Sequence, residues 1–149
     1  MPPLREGGFL ISMVKQLSGR IFDRLLKKAG IEDLNNAQGR IMFALWKEDR
    51  IPIRRLAQAT ALGKTTLSSM LERMEQAGHI ERTADPADKR STLVALSDSS
   101  KNMMEQYRQV SGDMLALFYD GLAEEEIDRF EATLRHILAN LTRYEEENK

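Results

Sequence analysis

Residues 64–96 read KTTLSSMLERMEQAGHIERTADPADKRSTLVAL, and the order of signals within them decides the fold. From Lys64 to Ala77 the apolar residues Leu67, Met70, Leu71, Met74 and Ala77 recur at helical spacing and share one arc at about 100° per residue. The opposite arc carries Thr65, Ser68, Ser69, Glu72, Arg73 and Gln76, and Gly78 closes the helix. Ile80–Ala84 and Ser91–Leu96 then read as two strands joined by Asp85-Pro86-Ala87-Asp88-Lys89-Arg90, a turn-rich and charged tip. A polar-faced helix therefore leads straight into a basic-tipped hairpin.

Upstream, apolar spacing predicts a helix over Gly8–Ala29 with a stripe of Leu10, Val14, Leu17, Ile21 and Leu25, stopped by Gly30. A second helix starts near Asn36, capped by Asn35 or Asn36, with Ile41, Leu45 and Trp46 inward. Ile51-Pro52-Ile53 reads as a short extended entry to a brief helix carrying Leu56, Ala57 and Ala61, which Gly63 ends. Downstream, Ser97 or Asp98 begins a long helix to Tyr119 with Met103, Tyr107, Val110, Met114 and Leu117 on its stripe. Asp120-Gly121 breaks it. A last helix from Glu124 carries Ile127, Phe130, Leu134, Ile137, Leu138 and Leu141 and frays into Glu145-Glu146-Glu147. Its cap, Ala123, is poor, and Glu124, Glu125 and Glu126 compensate through the helix dipole. The expected fold is mainly α with a small β-hairpin wing.

The net charge of -1 over 149 residues argues against a polyanionic partner until it is mapped along the chain. Residues 1–49, 50–90 and 97–149 carry +2, +3 and −6, a basic middle beside an acidic C-terminal third. Cysteine is absent, which excludes disulfides, thiolate metal sites and cysteine redox switches. No signal peptide is visible, and charge interrupts every apolar run far short of the ~20 residues that span a bilayer. A cytoplasmic protein without membrane contact is expected.

Two short helices joined by a tight turn, then a hairpin, form a winged helix-turn-helix. Such a helix enters the major groove of double-stranded DNA, where Thr and Ser hydroxyls and Arg reach base edges, and a thin charged hairpin touches backbone or minor groove. The alternative is that Thr65, Ser68 and Ser69 form only a solvated helix face.

The residues Leu56-Ala57, Leu62, Lys64-Thr65-Thr66-Leu67, Leu71, Met74-Glu75, Gly78, Ile80, Arg82, Asp85-Pro86, Asp88, Arg90, Val94 and Leu96-Ser97 carry a family resemblance. In them the chain resembles the multiple antibiotic resistance regulator (MarR) family of bacterial winged-helix transcription factors. The wing pattern D-P-x-D-x-R ahead of a strand and a Leu-Ser helix start is its most specific part. The resemblance puts Lys64, Thr65, Thr66, Ser68, Ser69 and Arg73 on the recognition helix and Lys89 and Arg90 on the wing. Arg90 is the strongest single candidate for a minor-groove or phosphate contact. Asp85 and Asp88 are expected to shape the tip, because a carboxylate is repelled by phosphate unless paired. Arg82 either binds phosphate or flanks the wing, and Gln38, Arg54 and Arg55 are candidates for backbone contacts. Many relatives carry Arg where Ser69 stands, so an operator preference does not transfer.

Residues 34–97 make the winged lobe; residues 1–33 and 98–149 supply flanking helices whose apolar stripes a lone small core does not cover. Burying them against a second copy gains about 25 cal/mol per Å², and the resemblance implies the same homodimer, on a pseudo-palindromic operator. A monomeric bundle with every stripe inside is the alternative. The resemblance also implies a repressor relieved by a small aromatic or amphipathic effector, with no effector residue assigned; Met13, Met42, Met70, Met74, Met103, Met104 and Met114 read as core before pocket. No cofactor and no metal site are expected.

Enzyme readings fare poorly. Gly63-Lys64-Thr65 looks like the end of a phosphate-binding loop, but the glycine required five residues earlier is Gln58. His79 and His136 stand in separate elements with no nucleophile or paired carboxylate by spacing, and the Asn140-Leu141-Thr142 sequon falls within a helix. A winged module that binds protein through its acidic terminal helices is the other class considered.

Overall fold

The computed structural model describes residues 1–149 as six helices and three strands. In chain order they are α1 (Gly7–Lys28), α2 (Asn36–Lys47), β1 (Ile51–Pro52), α3 (Ile53–Thr60), α4 (Lys64–Gln76), β2 (Ile80–Asp85), β3 (Asp88–Leu96), α5 (Asp98–Phe118) and α6 (Glu124–Glu147). The strands form one antiparallel sheet in the order β1-β3-β2, with Ile51 opposite Val94 and Ile80 opposite Leu96. The chain divides into two compact units, residues 1–114 and 115–149. The mainly helical fold with a small hairpin wing is the one its periodicities predict.

In the first unit the inward residues of α2, α3, α4 and β3 meet in one core. Ile41, Leu45, Leu56, Leu71, Met74 and Val94 are fully buried there. Burial of each such side chain is worth about 1.5–3 kcal/mol before the entropy of ordering it is subtracted. Tyr107 of α5 enters the same core, edge-on to Phe22 and Trp46 with ring centroids 5.7 and 4.3 Å away. Burial pushes its phenol well above the usual tyrosine range. Gly39 lets α2 approach it: a Cβ there would lie 2.6 Å from the Tyr107 hydroxyl.

Hydrogen bonds at the helix ends fix how the lobe is strung together. Asn35 is the cap of α2: its Oδ1 accepts the Gln38 N–H at 3.0 Å, and the Gln38 amide oxygen accepts the Asn35 N–H at 3.2 Å. Asn36 instead binds Asp23 of α1, its N–H and Nδ2 each donating at 2.7 Å. Helix α4 ends at Gly78, whose φ of 83° lies in the left-handed region. The Gly78 N–H reaches Glu75 O at 3.0 Å and the His79 N–H reaches Met74 O at 2.9 Å, a Schellman closure that turns the chain into β2. Ser97 is the cap of α5: its Oγ accepts the Ser100 N–H at 3.1 Å and donates to Gly78 O.

The structure corrects several expectations. Gly63 does not end α3; Ala61 does, at a φ of 57°, and Gly63 is the cap residue that opens α4. The wing strands are longer than predicted, so only Pro86 and Ala87 separate Asp85 from Asp88. Ala77 is exposed despite its place in the apolar arc. Along α1 only Leu26 is buried, and Leu10, Val14 and Leu17 are each 44% or more exposed, which agrees with a stripe that the small core leaves uncovered.

The second unit is built around the turn between α5 and α6. Tyr119 stacks edge-on against Phe118 and Phe130, and its hydroxyl donates to Glu131 Oε2 at 2.7 Å. The poor cap at Ala123 is answered by Glu126, whose carboxylate accepts the Ala123 N–H at 3.1 Å. Helix α6 runs unfrayed to Glu147, and none of its 24 residues is buried.

Candidate nucleic-acid interface

Helix α4 faces two ways because its sequence does. Leu67, Met70, Leu71 and Met74 anchor it in the core, which leaves Lys64, Thr65, Thr66, Ser68, Glu72 and Arg73 exposed and Ser69 half-buried. Arg73 Nη2 donates to Ser69 Oγ at 3.3 Å, so the two residues sit on one strip of the outer face. The first turn holds no acidic residue, and its unpaired N–H groups and Lys64 add to the positive end of the helix dipole. That end suits a phosphate oxygen, and the hydroxyls beside it suit base edges.

The wing owes its shape to two carboxylates. Asp85 Oδ1 accepts the Ala87 N–H at 2.9 Å and Asp88 Oδ1 accepts the Arg90 N–H at 3.0 Å, each closing a local turn. The strand register slips at the same place. Ala84 pairs with Thr92 but Asp85 pairs with Asp88, so Lys89, Arg90 and Ser91 have no residue opposite them on β2. A bulge of this kind bends the ribbon and re-aims its side chains. Lys89 and Arg90 are exposed, and neither they nor Lys64 and Arg73 have a carboxylate partner in an ion pair.

Three candidates are already committed elsewhere. Gln38 is buried and holds the α2 cap, which removes it from any phosphate contact. Arg55 of α3 donates to Glu48 at 2.6 Å, whereas its neighbour Arg54 is exposed and unpaired. Arg82 takes the second of its two readings and flanks the wing: its Nε and Nη2 donate to Glu75 Oε1 at 3.2 and 2.8 Å. The hydrogen bond from Arg82 holds the Glu75 carboxyl below its usual range, and the same bond raises Arg82. Sequence reasoning did not see this pair. Its only signal is a spacing of seven residues around the helix–glycine–strand turn.

No three His, Asp or Glu side chains converge as metal ligands, and no helix is long and apolar enough to cross a membrane. His79 is buried, with Nε2 3.2 Å from the Asp33 carbonyl oxygen, where a ring N–H donates. His136 is exposed on α6.

A sequence profile of the MarR family matches residues 34–92. The transcriptional regulator HosA of Escherichia coli O111:H- is 30% identical over 108 residues, which cover 72% of this chain and 80% of that protein. The chain belongs to the MarR family. Among solved members, mutant MarR from E. coli complexed with operator DNA is 28% identical and superposes with a TM-score of 0.76 over 88% of this chain and 92% of that one. The PcaV transcriptional regulator from Streptomyces coelicolor, in complex with its natural ligand, has a TM-score of 0.78 over 93% and 98% of the two chains. At 20% identity it matches this MarR-family chain in fold.

Proposed function

We propose that the chain is a homodimeric, sequence-specific DNA-binding transcriptional regulator that represses from a pseudo-palindromic operator and is released by a small aromatic or amphipathic ligand. Residues 34–97 are the DNA-binding lobe, and residues 1–33 and 98–149 supply the dimer contacts. In this reading Lys64, Thr65, Thr66, Ser68, Ser69 and Arg73 read the major groove, Lys89 and Arg90 grip the backbone or minor groove, and Arg54 adds a phosphate contact. The observation that carries it is the set of unpaired cations on α4 and the wing, set among hydroxyls on surfaces that the core leaves free. The operator complex of the MarR relative supports the DNA partner, and the ligand complex of PcaV supports an effector.

The dimer is supported by apolar surface left uncovered in each unit. Phe9, Leu10 and Leu17 on α1 are about half exposed or more, as are Leu138, Leu141 and Tyr144 on α6. Apolar surface of this extent marks an interaction site more often than a monomer's free face. Two copies related by a two-fold axis then present two recognition helices to half-sites about one duplex turn apart.

The test is a salt titration of binding to duplexes that the wild-type chain selects from a random pool. The log–log slope is expected near −0.9 per phosphate neutralised. Arg90→Ala should weaken binding by about 1–3 kcal/mol and make the slope shallower by about one contact per protomer. A flat slope for the wild type, or an Arg90→Ala chain that binds with unchanged affinity and slope, overturns the assignment of the interface.

A further inference from the structure

We propose that Glu75 and Arg82 are a positioning pair that sets the wing against the recognition helix, so that sequence discrimination depends on two residues that need not touch a base. The proposal rests on the DNA-binding reading above and adds to it a device that couples the two reading surfaces. Glu75 lies in the last turn of α4 and Arg82 is the third residue of β2, and the Gly78 turn stands between them. The guanidinium holds one carboxylate oxygen through two nitrogens, at 2.8 and 3.2 Å, a two-point contact that fixes orientation as well as distance.

Leverage gives the contact its reach. The wing is a two-stranded ribbon beyond its base, because β2 is an edge strand and β1 pairs only with Ile51–Pro52 against Leu93–Val94. From Arg82 to the tip at Asp85 is three residues, roughly 10 Å at about 3.3 Å per residue. A tilt of about 10° at the pair therefore moves the tip by about 2 Å, more than the tolerance of a hydrogen bond. Lys89 and Arg90 ride on that tip, on the unpaired side of the bulge. The pair is partly shielded, with side chains 32% and 38% exposed, which spares it full solvent screening.

A rival role for the pair is simple neutralisation, in which Arg82 only masks a carboxylate on the DNA-facing helix. The two roles predict opposite results for Glu75→Gln. If Arg82 merely masks Glu75, removing that charge frees a cation and binding tightens on every duplex. If the pair positions the wing, Glu75→Gln lowers affinity for the selected duplex about tenfold while affinity for a scrambled duplex holds or rises.

The experiment compares wild type, Glu75→Gln, Arg82→Gln and the exchange Glu75→Arg with Arg82→Glu, on the duplex selected by the wild type and on its scrambled control. Thermal unfolding and hydroxyl-radical footprints are recorded for each. Expected are a loss of specificity in both single variants at near wild-type melting temperature, weakened protection at the outer, wing-side edge of the footprint, and recovery of most of the specificity in the exchange. Unchanged specificity in Glu75→Gln overturns the proposal, and so does an exchange that melts like wild type yet fails to recover. A wild-type chain that selects no duplex overturns the DNA-binding reading itself, a result distinct from a defect confined to the variants.

Discussion

Helices α4 and α6 carry the same kind of apolar periodicity and meet opposite fates. In α4, 13 residues long, four side chains are buried in the winged core; in α6, 24 residues long, none is. The difference is not one of composition. Mean polarity and repeat spacing say that a face needs cover, and only the neighbours determine whether the same chain supplies it. Helix α4 is covered by its neighbours in the lobe, with Leu26 of α1 and Tyr107 of α5 joining the same core, whereas α6 finds no such cover within its own unit.

The largest expected effect lies on the covered side of that comparison. Leu71 is fully buried at the centre of the lobe, and Leu71→Ala should cost about 2–5 kcal/mol through lost transfer energy and the cavity left behind. Urea denaturation followed by circular dichroism reads this directly. A loss below about 1 kcal/mol would show that the lobe core is not tightly packed around Leu71.

The sequence and the structure agree where local chemistry settles the outcome. The reading of α4 ends one residue beyond the helix, because a glycine at Gly78 with a positive φ and two closing hydrogen bonds is a local event. The prediction failed at Gly63 for a related reason: a glycine can end one helix or open the next, and Ala61 took the left-handed position instead. The stripe on the N-terminal half of α1 is legible from its helical spacing, and it stays exposed within one chain, as expected of a stripe that the small core does not cover. In the candidate site, the exposed hydroxyls and cations of α4 follow from the helical period. The Glu75–Arg82 contact does not, since it exists only once the turn has brought β2 back against the helix. The withdrawal of Gln38 was hidden likewise, because its side chain serves Asn35 three residues earlier in a reciprocal cap.

The next test strikes the helices that lack cover. Leu138 is 54% exposed on α6. Leu138→Glu should leave the far-ultraviolet spectrum of the lobe intact and weaken self-association by about 1.5–3 kcal/mol, the worth of one buried leucine. Sedimentation velocity across a dilution series reads the shift from dimer to monomer. An unchanged association constant moves the dimer contact elsewhere and removes α6 from it. The contrast with Leu71→Ala is then sharp: one substitution destabilises a unit, and the other separates two folded copies.

The smallest effect lies in the hydrogen bond from Tyr119, in the turn after α5, to Glu131 of α6. Burial, and after it the hydrogen bond to Glu131, push the Tyr119 hydroxyl up to about 12. An unfolded tyrosine titrates near about 10. The group is neutral when folded and loses its proton more readily when unfolded, so its contribution to stability is full below pH ~10 and is lost as the pH rises through ~12. Stability measured by urea titration from pH 9 to 11.5 should therefore fall more steeply in the wild type than in Tyr119→Phe, which cannot ionise at that position. Parallel slopes for the two proteins would mean that the turn holds through the ring contacts with Phe118 and Phe130 alone. The aromatic cluster would then be what ties the turn to α6.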